Sequence, residues 1–250
     1  MRKIIIAGNW KLNKTISEAV ELASGIKKEA AGITNVDIVV CPVFTALSEV
    51  KKVVAGSNVG LGAQDLYWED SGAFTGEVSV PLLKDAGCQY VIIGHSERRQ
   101  YFGETNETVN NKVKAALAGG LIPIVCVGEN LEQREANKAF DVVKDHVENS
   151  LKGFSADEMK KIIIAYEPVW AIGTGKTASP EQAQEIHSFI RGLLKEMHNE
   201  EVAQSVRLQY GGSVKPDNAK ELMGQKDIDG ALVGGAALKI DSFLGIIKNC

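Results

Sequence analysis

Short apolar runs alternate with amphipathic stretches along the whole chain. Hydrophobic residues fill consecutive positions of these runs instead of every second one, which indicates strands buried on both faces, as in a parallel sheet. Eight such strands are predicted, at Ile4–Asn9, Val36–Cys41, Val59–Ala63, Tyr90–Ile93, Ile122–Val127, Ile162–Tyr166, Val206–Gln209 and Gly230–Val233. Eight strand–helix alternations in 250 residues fit an α/β fold with a closed (β/α)8 barrel, eight parallel strands surrounded by helices, better than an open doubly wound sheet.

The stretches between the strands have helical patterns of apolar positions. The clearest predicted helices are Ser17–Ala31, Asn106–Ala118, Leu131–Leu151 and Ser179–Met197, with a shorter one at Ser96–Phe102. At the start of one of them, Ser179 can cap the helix and Pro180 suits its first turn. Because no shift in composition divides the chain, we expect residues 1–250 to form a single barrel domain.

Composition limits the classes of partner. The net charge of −4 gives no general reason to expect nucleic acid or an anionic membrane. No run approaches the length of about 18 apolar residues that a membrane span requires. The four cysteines form no metal-type C-x-x-C pair and no disulfide framework, and no secretory segment precedes the first strand. We therefore expect a cytoplasmic protein that uses neither a metal nor another cofactor.

Polar residues stand where the predicted strands end, which is where active sites of such barrels are built. Asn9 and Lys11 follow the first strand, His95 follows the fourth, and Glu167 follows the sixth. The seventh strand is followed by Gly211-Gly212-Ser213 and the eighth by Gly234-Gly235. These segments are distant in sequence, and the barrel is predicted to bring them together at one mouth.

The segment after the sixth strand has the composition of a hinged lid. Pro168 stiffens one end, and glycines at the other end can take backbone angles that are closed to other residues. Between them, Trp170 and Ile172 could seal a pocket over the Glu167 carboxylate, and proton chemistry at neutral pH benefits from such a dry site. The predicted lid consists of Pro168, Val169, Trp170, Ala171, Ile172, Gly173, Thr174, Gly175 and Lys176.

With these stretches in view, the chain closely resembles the triosephosphate isomerase family over essentially its whole length. The matching motifs, in order, are Asn9-Trp10-Lys11, Gly94-His95-Ser96-Glu97-Arg98-Arg99, Ala165–Lys176, Tyr210-Gly211-Gly212-Ser213-Val214 and Leu232-Val233-Gly234-Gly235. Each motif alone is weak evidence for the family. Five of them in this order, each at the end of a predicted strand, are specific evidence for it. The chain departs from the family at Ala236-Ala237, where Ala-Ser is more frequent, and at Leu12, where methionine is common.

The resemblance implies a TIM barrel that interconverts dihydroxyacetone phosphate and D-glyceraldehyde 3-phosphate through an enediolate, a step of glycolysis and gluconeogenesis. Glu167 would remove and return the proton on carbon. His95 would polarise the carbonyl while neutral, because the amino-terminal end of the helix after it disfavours an added positive charge. Lys11 would hold the developing negative charge, oriented by Asn9, and Glu97 would position or neutralise Lys11.

The substrate phosphate needs donors other than basic side chains. Glycines can present backbone N–H groups to phosphate oxygens without a side-chain clash, and a short helix after Gly235 would add its positive end. The predicted phosphate-binding residues are Gly173, Ser213, Gly234 and Gly235, with Asn9 and Lys11 beside them.

The long connection Asp65–Val80 contains three aromatic residues, which argue against disorder. The resemblance implies that it inserts into a second subunit and that Thr75 approaches Asn9 and Lys11 of the partner subunit. The chain is therefore expected to form a homodimer, and the predicted contact residues are Gln64, Phe74, Thr75 and Gly76.

The remaining histidines and two of the cysteines receive structural roles in this interpretation. His146, His187 and His198 lie on helical stretches that read as polar. Cys126 lies in an apolar strand and, by resemblance, near Glu167, where it would support packing. The terminal Cys250 is expected to be exposed.

Parts of the sequence are also compatible with three other functions. The run Gly173-Thr174-Gly175-Lys176-Thr177 suggests a nucleotide-binding P-loop, but that motif needs a glycine where Trp170 stands. A non-catalytic phosphosugar-binding or scaffolding barrel has the same fold but no need for a base beside an electrophile. The third alternative is a different sugar-phosphate isomerase with this fold. Only the match to the five motifs favours the triosephosphate isomerase reaction over it.

Overall fold

The computed structural model describes residues 2–172 and 177–250. Eight parallel strands close into one barrel in the order of the chain, which confirms the predicted fold. The strands are β1 Ile4–Asn9, β2 Val36–Cys41, β3 Val59–Ala63, β4 Tyr90–Ile93, β5 Ile122–Val127, β6 Ile163–Tyr166, β7 Arg207–Tyr210 and β8 Gly230–Val233. The barrel closes where Ile5 of β1 pairs with Gly230 of β8.

The predicted strand boundaries agree closely with the structure. Six strands begin and end at the predicted residues, β6 begins one residue later, and β7 is displaced by one residue. The agreement follows from burial on both faces, because most of the strands are predominantly apolar runs. Along β1, Ile5 packs inside the barrel and Ile6 packs outside it, against the helices, and both are fully buried.

Twelve α-helices surround the barrel in the part of the chain that the structure describes. They are α1 Ile16–Ala30, α2 Leu47–Val54, α3 Val80–Asp85, α4 Ser96–Tyr101, α5 Asn106–Ala118, α6 Leu131–Glu135, α7 Ala139–Ser150, α8 Ala156–Met159, α9 Pro180–Met197, α10 Glu200–Ser205, α11 Ala219–Met223 and α12 Ile240–Lys248. Short 3₁₀ helices occupy Phe44–Ala46, Val169–Ala171 and Gly235–Leu238. None of the helices in these two ranges is long and apolar enough to cross a membrane.

One predicted helix is wrong as a continuous element. The stretch Leu131–Leu151 is divided into α6 and α7, and Asn137 between them has a φ of 57°. Asparagine is one of the few residues that adopt this left-handed conformation readily, and a single such residue interrupts a right-handed helix. Helix α5, by contrast, has the predicted bounds.

Candidate active site

The carboxyl ends of the strands surround a cavity of about 700 Å³. Seven of the predicted catalytic and phosphate-binding residues line it: Asn9, Lys11, His95, Glu167, Ser213, Gly234 and Gly235. They come from the exits of five different strands, so the barrel brings together segments that are more than 200 residues apart in sequence. Glu97 lies outside this cavity and contacts Lys11 from the side.

The Glu167 carboxylate is almost completely buried and both of its oxygens are engaged. Its Oε1 lies 2.9 Å from Nε2 of His95, and its Oε2 accepts a hydrogen bond of 2.9 Å from the backbone N–H of Ser96. Burial raises the pKa of Glu167, but His95, the Ser96 amide and Lys11 together outweigh burial and lower it below its ordinary value. The side chain is therefore held as a carboxylate, the form that can act as a base.

The hydrogen bonds of His95 define its tautomer. The backbone N–H of Glu97 donates to Nδ1 of His95 at 3.2 Å, so Nδ1 is an acceptor and the proton resides on Nε2, which faces Glu167. Burial lowers the pKa of His95, while the Glu167 carboxylate raises it, and the net shift is upward. The Glu97 amide thus favours the neutral ring and the carboxylate favours the charged ring. Turning Glu167 toward a substrate would remove the second influence.

Lys11 has a strained backbone that its neighbours hold in place. Its φ of 51° lies in the left-handed region, which costs a non-glycine residue about 1–2 kcal/mol. The N–H of Lys11 donates to Oδ1 of Asn9 at 3.0 Å, and Nε2 of Gln64 donates to the Lys11 carbonyl oxygen at 2.9 Å. Its Nζ forms an ion pair of 2.6 Å with Oε1 of Glu97. The turn is fixed on both sides, and the ammonium points into the cavity mouth.

Small residues line the part of the cavity formed by the exits of β7 and β8. Ser213, Gly234 and Gly235 line it, and a Cβ on Gly234 would lie 3.5 Å from Cε of Lys11. The predicted helix after Gly235 is a single 3₁₀ turn, Gly235–Leu238. Gly173, predicted to bind phosphate, lies outside the described residues, as do Thr174, Gly175 and Lys176 of the predicted lid.

The chain also matches known proteins over nearly its whole length. The family model described as triosephosphate isomerase matches residues 4–250. The chain belongs to the triosephosphate isomerase family. Proteins named triosephosphate isomerase from Alkaliphilus metalliredigens (strain QYMF) and Endomicrobium trichonymphae are each 56% identical to it over 248 residues. That alignment covers 99% of this chain, and 100% and 99% of the two relatives. A third protein of that name, from Geotalea uraniireducens (strain Rf4), is 57% identical, with 99% of each chain covered.

Beside the predicted residues, the structure of this triosephosphate isomerase family member reveals a buried acid that the sequence analysis missed. Glu129 is fully buried, and its Oε1 accepts hydrogen bonds from Nε1 of Trp170 at 2.8 Å and from the hydroxyl of Tyr166 at 3.1 Å. Its carbonyl oxygen accepts from the Val169 N–H at 3.0 Å. Burial raises the pKa of Glu129. Its position two residues after the end of β5 indicates a site residue, because the other site residues also lie at strand exits.

Two glycines make the close packing around Glu167 possible. A Cβ on Gly128 would lie 1.8 Å from the Glu167 carbonyl oxygen, and a Cβ on Gly211 would lie 2.9 Å from its Cγ. Real Cβ atoms do not approach other atoms so closely, so both positions require glycine. In the sequence, Gly211 stands out only as part of a strand-exit motif, and Gly128 is not among the predicted site residues.

The predicted dimer-contact residues occupy two different places. The Gln64 side chain is turned inward and donates to the carbonyl oxygens of Lys11 and Cys41 of its own barrel, each at 2.9 Å. Phe74, Thr75 and Gly76 lie at the exposed end of the long connection after β3. The aromatic residues of that connection pack on one another, with ring centroids of Tyr67 and Phe74 4.6 Å apart.

The structure also corrects the expectations for two minor residues. His187 was placed on a polar helix stretch, but it is fully buried between Tyr166 and Tyr210. Cys250 was expected to be exposed, but it is partly buried, and its Sγ donates to the Ile246 carbonyl oxygen at 3.0 Å. The apolar residues of α12 pack on the core and carry the terminus with them, which explains the burial.

Cys126 is fully buried, as predicted. Burial raises the pKa of its thiol well above the ordinary value, with the Glu167 carboxylate acting in the same direction. A neutral buried thiol packs as a small apolar side chain. Within residues 2–172 and 177–250, no group of three or more His, Cys, Asp or Glu side chains could hold a metal ion.

Proposed function

We propose that this chain interconverts dihydroxyacetone phosphate and D-glyceraldehyde 3-phosphate by proton transfer at the cavity on the carboxyl side of the barrel. Membership of the triosephosphate isomerase family gives the reaction. The observation that supports these particular residues is the approach of His95 Nε2 and Glu167 Oε1 to 2.9 Å in the same cavity as Lys11. A base, a hydrogen-bond donor and a cation in one enclosed space are what an enediolate mechanism requires.

In the proposed first step, the Glu167 carboxylate takes a proton from the carbon beside the substrate carbonyl. The electron pair left on carbon moves into an enediolate, and the N–H at Nε2 of His95 donates to the oxygen that becomes negative. The hydroxyl proton on the neighbouring carbon's oxygen then moves to that negative oxygen by way of His95. Glu167 finally returns its proton to the carbon that carried the original carbonyl, which leaves the new carbonyl on the other carbon. Because both Glu167 oxygens are engaged by His95 and Ser96, substrate must compete for the carboxylate, which has to turn toward the reacting carbon.

Lys11 supplies the positive charge for the enediolate, with Asn9 holding its backbone and Glu97 holding its ammonium. The phosphate group is proposed to lie at the end lined by Ser213, Gly234 and Gly235, with Asn9 and Lys11 next to it. Residues 168–176 are proposed to act as the lid that excludes water, since a phosphorylated enediolate in water can expel its phosphate. Trp170 and Ile172 are the two largest apolar side chains of its described part, residues 168–172.

We also propose that the chain forms a homodimer. A second cavity, of about 960 Å³, lies beside the active site and is lined by Lys11, His95 and Glu97 together with a set of apolar residues. Those apolar residues are partly or largely exposed in the single chain: Leu12, Phe44, Tyr101 and Phe102. Exposed apolar side chains around a cavity are typical of an interface. The exposed segment Phe74-Thr75-Gly76 of a second copy is proposed to fill this cavity.

A single barrel domain, a cytoplasmic location, and the absence of nucleic-acid and membrane partners stay predictions. The net charge of −4 and the cysteines without a disulfide framework support them. The single domain is also supported by the described polar site residues, which lie at one mouth of one barrel.

The proposed function is tested by assaying conversion of each triose phosphate into the other with a coupled dehydrogenase. Wild-type protein should turn over both substrates, and Glu167→Gln, which keeps the shape but removes the base, should lose activity by about 10³-fold or more. Binding of inorganic phosphate should survive this substitution. Phosphate binding without isomerase activity in the wild type would instead favour a non-catalytic phosphosugar-binding barrel.

A further inference from the structure

The exit of β5 is the surface against which the backbone of Glu167 lies. The Glu167 N–H donates to the Val127 carbonyl oxygen at 2.7 Å. Gly128 is in such close contact with the Glu167 backbone that a Cβ there would lie 1.8 Å from the Glu167 carbonyl oxygen. A small displacement of Val127 and Gly128 therefore displaces Glu167 with it. Whatever holds these residues also determines where the carboxylate stands.

Two side chains from the outer helices hold this exit. Nδ1 of His146, on α7, accepts a hydrogen bond of 3.3 Å from the Gly128 N–H. The guanidinium of Arg99, on α4, donates to the Cys126 carbonyl oxygen in a long contact of 3.5 Å. The two contacts act on either side of Val127, the residue that accepts the hydrogen bond from Glu167.

Arg99 also holds the strand exit that carries His95. Its Nε donates to the Gly94 carbonyl oxygen at 2.9 Å, directly before His95 in the chain. The remaining donors reach Oδ1 of Asn106 at 2.8 Å and Oγ of Ser150 at 3.3 Å. One rigid guanidinium thus joins the backbone before His95 to the backbone beside Glu167.

The bonding of Arg99 is unusual for a partly buried charge. All four of its hydrogen-bond acceptors are neutral, two backbone carbonyls, an amide and a hydroxyl. Burial lowers the pKa of Arg99, which reflects the cost of keeping this charge from water. A charged group without a paired carboxylate is an expensive way to stabilise a fold. The planar fork of arginine, with its fixed donor directions, explains why such a residue suits this place.

We propose that Arg99 and His146 are positioning residues for the isomerase reaction, which act by fixing the exits of β4 and β5 so that Glu167 and His95 face one substrate. The inference rests on the proposed function. Neither side chain lines the active-site cavity, so neither touches substrate. Their effect is expected on the chemical step and not on phosphate binding.

The matched pair His146→Leu and His146→Asn tests this. Leucine removes the acceptor for the Gly128 N–H, whereas Oδ1 of asparagine lies close to the place of Nδ1 and keeps it. We expect His146→Leu to lower kcat about tenfold with KM changed less than about twofold, because a small displacement of a base costs rate and not affinity. His146→Asn should stay within about threefold of the wild-type kcat. Sedimentation and circular dichroism verify that both variants keep the wild-type assembly and fold.

A double-mutant cycle with Glu167→Asp separates positioning from general destabilisation. Aspartate withdraws the carboxylate by one methylene, so the exact support of its backbone should matter less. In that background we expect His146→Leu to cost less than about threefold in kcat. An equal tenfold loss in both backgrounds, or an unchanged kcat for His146→Leu in the wild type, would overturn the proposal.

Arg99→Lys serves if His146→Leu does not fold. It keeps the positive charge but loses the fork that reaches Gly94 and Cys126 together. The same selective loss of kcat would support the proposal, and a wild-type kcat would overturn it. Failure of the inference differs from failure of the proposed function, because the latter appears as a wild-type protein without isomerase activity.

Discussion

Nζ of Lys11 and Oε1 of Glu97 are 2.6 Å apart, and this contact joins the exit of β1 to the first turn of α4. The Glu97 side chain is 40% exposed, so the pair contributes little to stability, as solvated ion pairs usually do. Its effect is on geometry, because the backbone N–H of the same Glu97 donates to Nδ1 of His95. One residue thus orders both the ammonium and the imidazole of the proposed site.

Glu97→Gln should separate these effects. The amide keeps the size of the side chain and leaves the backbone hydrogen bond to His95 intact, but it lacks the negative charge that holds the Lys11 ammonium. We expect the free energy of unfolding to change by less than about 1 kcal/mol. The value of kcat/KM should fall by about tenfold to a hundredfold, because Lys11 is less well placed for the enediolate. Urea unfolding and the coupled assay check the two halves of this prediction, and a large loss of stability with normal activity would contradict it.

Gly128→Ala should disable the enzyme through the backbone of Glu167. The added Cβ would lie 1.8 Å from the Glu167 carbonyl oxygen, so the two segments must separate. We expect kcat to fall by about a hundredfold or more, since a displacement of about 1 Å is sufficient for such a loss. Gly192→Ala is the matched control, because a Cβ there meets nothing within 4 Å. That control lies inside α9, and it should keep full activity and gain up to about 1 kcal/mol of stability.

The barrel and most of the site could be predicted because both depend on local patterns. An apolar run buried on both faces defines a strand, and the residue after it stands at the mouth. This is why the boundaries of β1 to β5 and the positions of Asn9, His95 and Glu167 agree with the structure. The reaction was predicted from the resemblance of the motifs to the family, because the spacing of the residues alone does not identify a reaction.

The parts that could not be predicted depend on contacts between distant segments. The burial of Glu129 arises from Tyr166 and Trp170, which are 37 and 41 residues away. The need for glycine at position 128 arises from the Glu167 backbone on the neighbouring strand exit. The inward hydrogen bonds of Gln64 to Lys11 are of the same kind. Each of these contacts forms only in the folded barrel, so the sequence alone does not indicate it.

If the proposed dimer forms, a charge introduced among the exposed aromatic residues that line the second cavity should disrupt it. Phe102 is 67% exposed in the single chain and lines the second cavity beside Lys11 and Glu97. Phe102→Glu should shift the protein to monomers in sedimentation, and activity should fall in parallel, because the support of Lys11 and Glu97 by the partner is lost. Phe140→Ser is the control, since Phe140 is 38% exposed on α7 and packs on Phe189 of its own chain. A fully active monomer would contradict the functional part of this prediction, and a dimeric Phe102→Glu variant the assembly itself.

His146 should make the fold sensitive to acid. Burial, and then the charge of Arg99, lower the pKa of His146 from 6.5 to about 4, although Asp145 and Glu167 act in the opposite direction. The unfolded chain therefore binds a proton on His146 more readily than the folded chain does. Stability that is fully present above pH 6.5 is lost progressively as the pH falls toward about 4, and the loss from this group reaches at most about 3 kcal/mol.

His146→Asn tests this pH dependence because it keeps an acceptor for the Gly128 N–H but cannot be protonated in this range. The free energy of unfolding, measured by urea titration at a series of pH values from 7 to 4, should fall less steeply for this variant than for the wild type. The two proteins should differ least near pH 7, where the histidine is neutral in both states. Parallel curves over the whole range would show that His146 has the same pKa in the folded and unfolded chain. That result would contradict the prediction that His146 contributes to the loss of stability in acid.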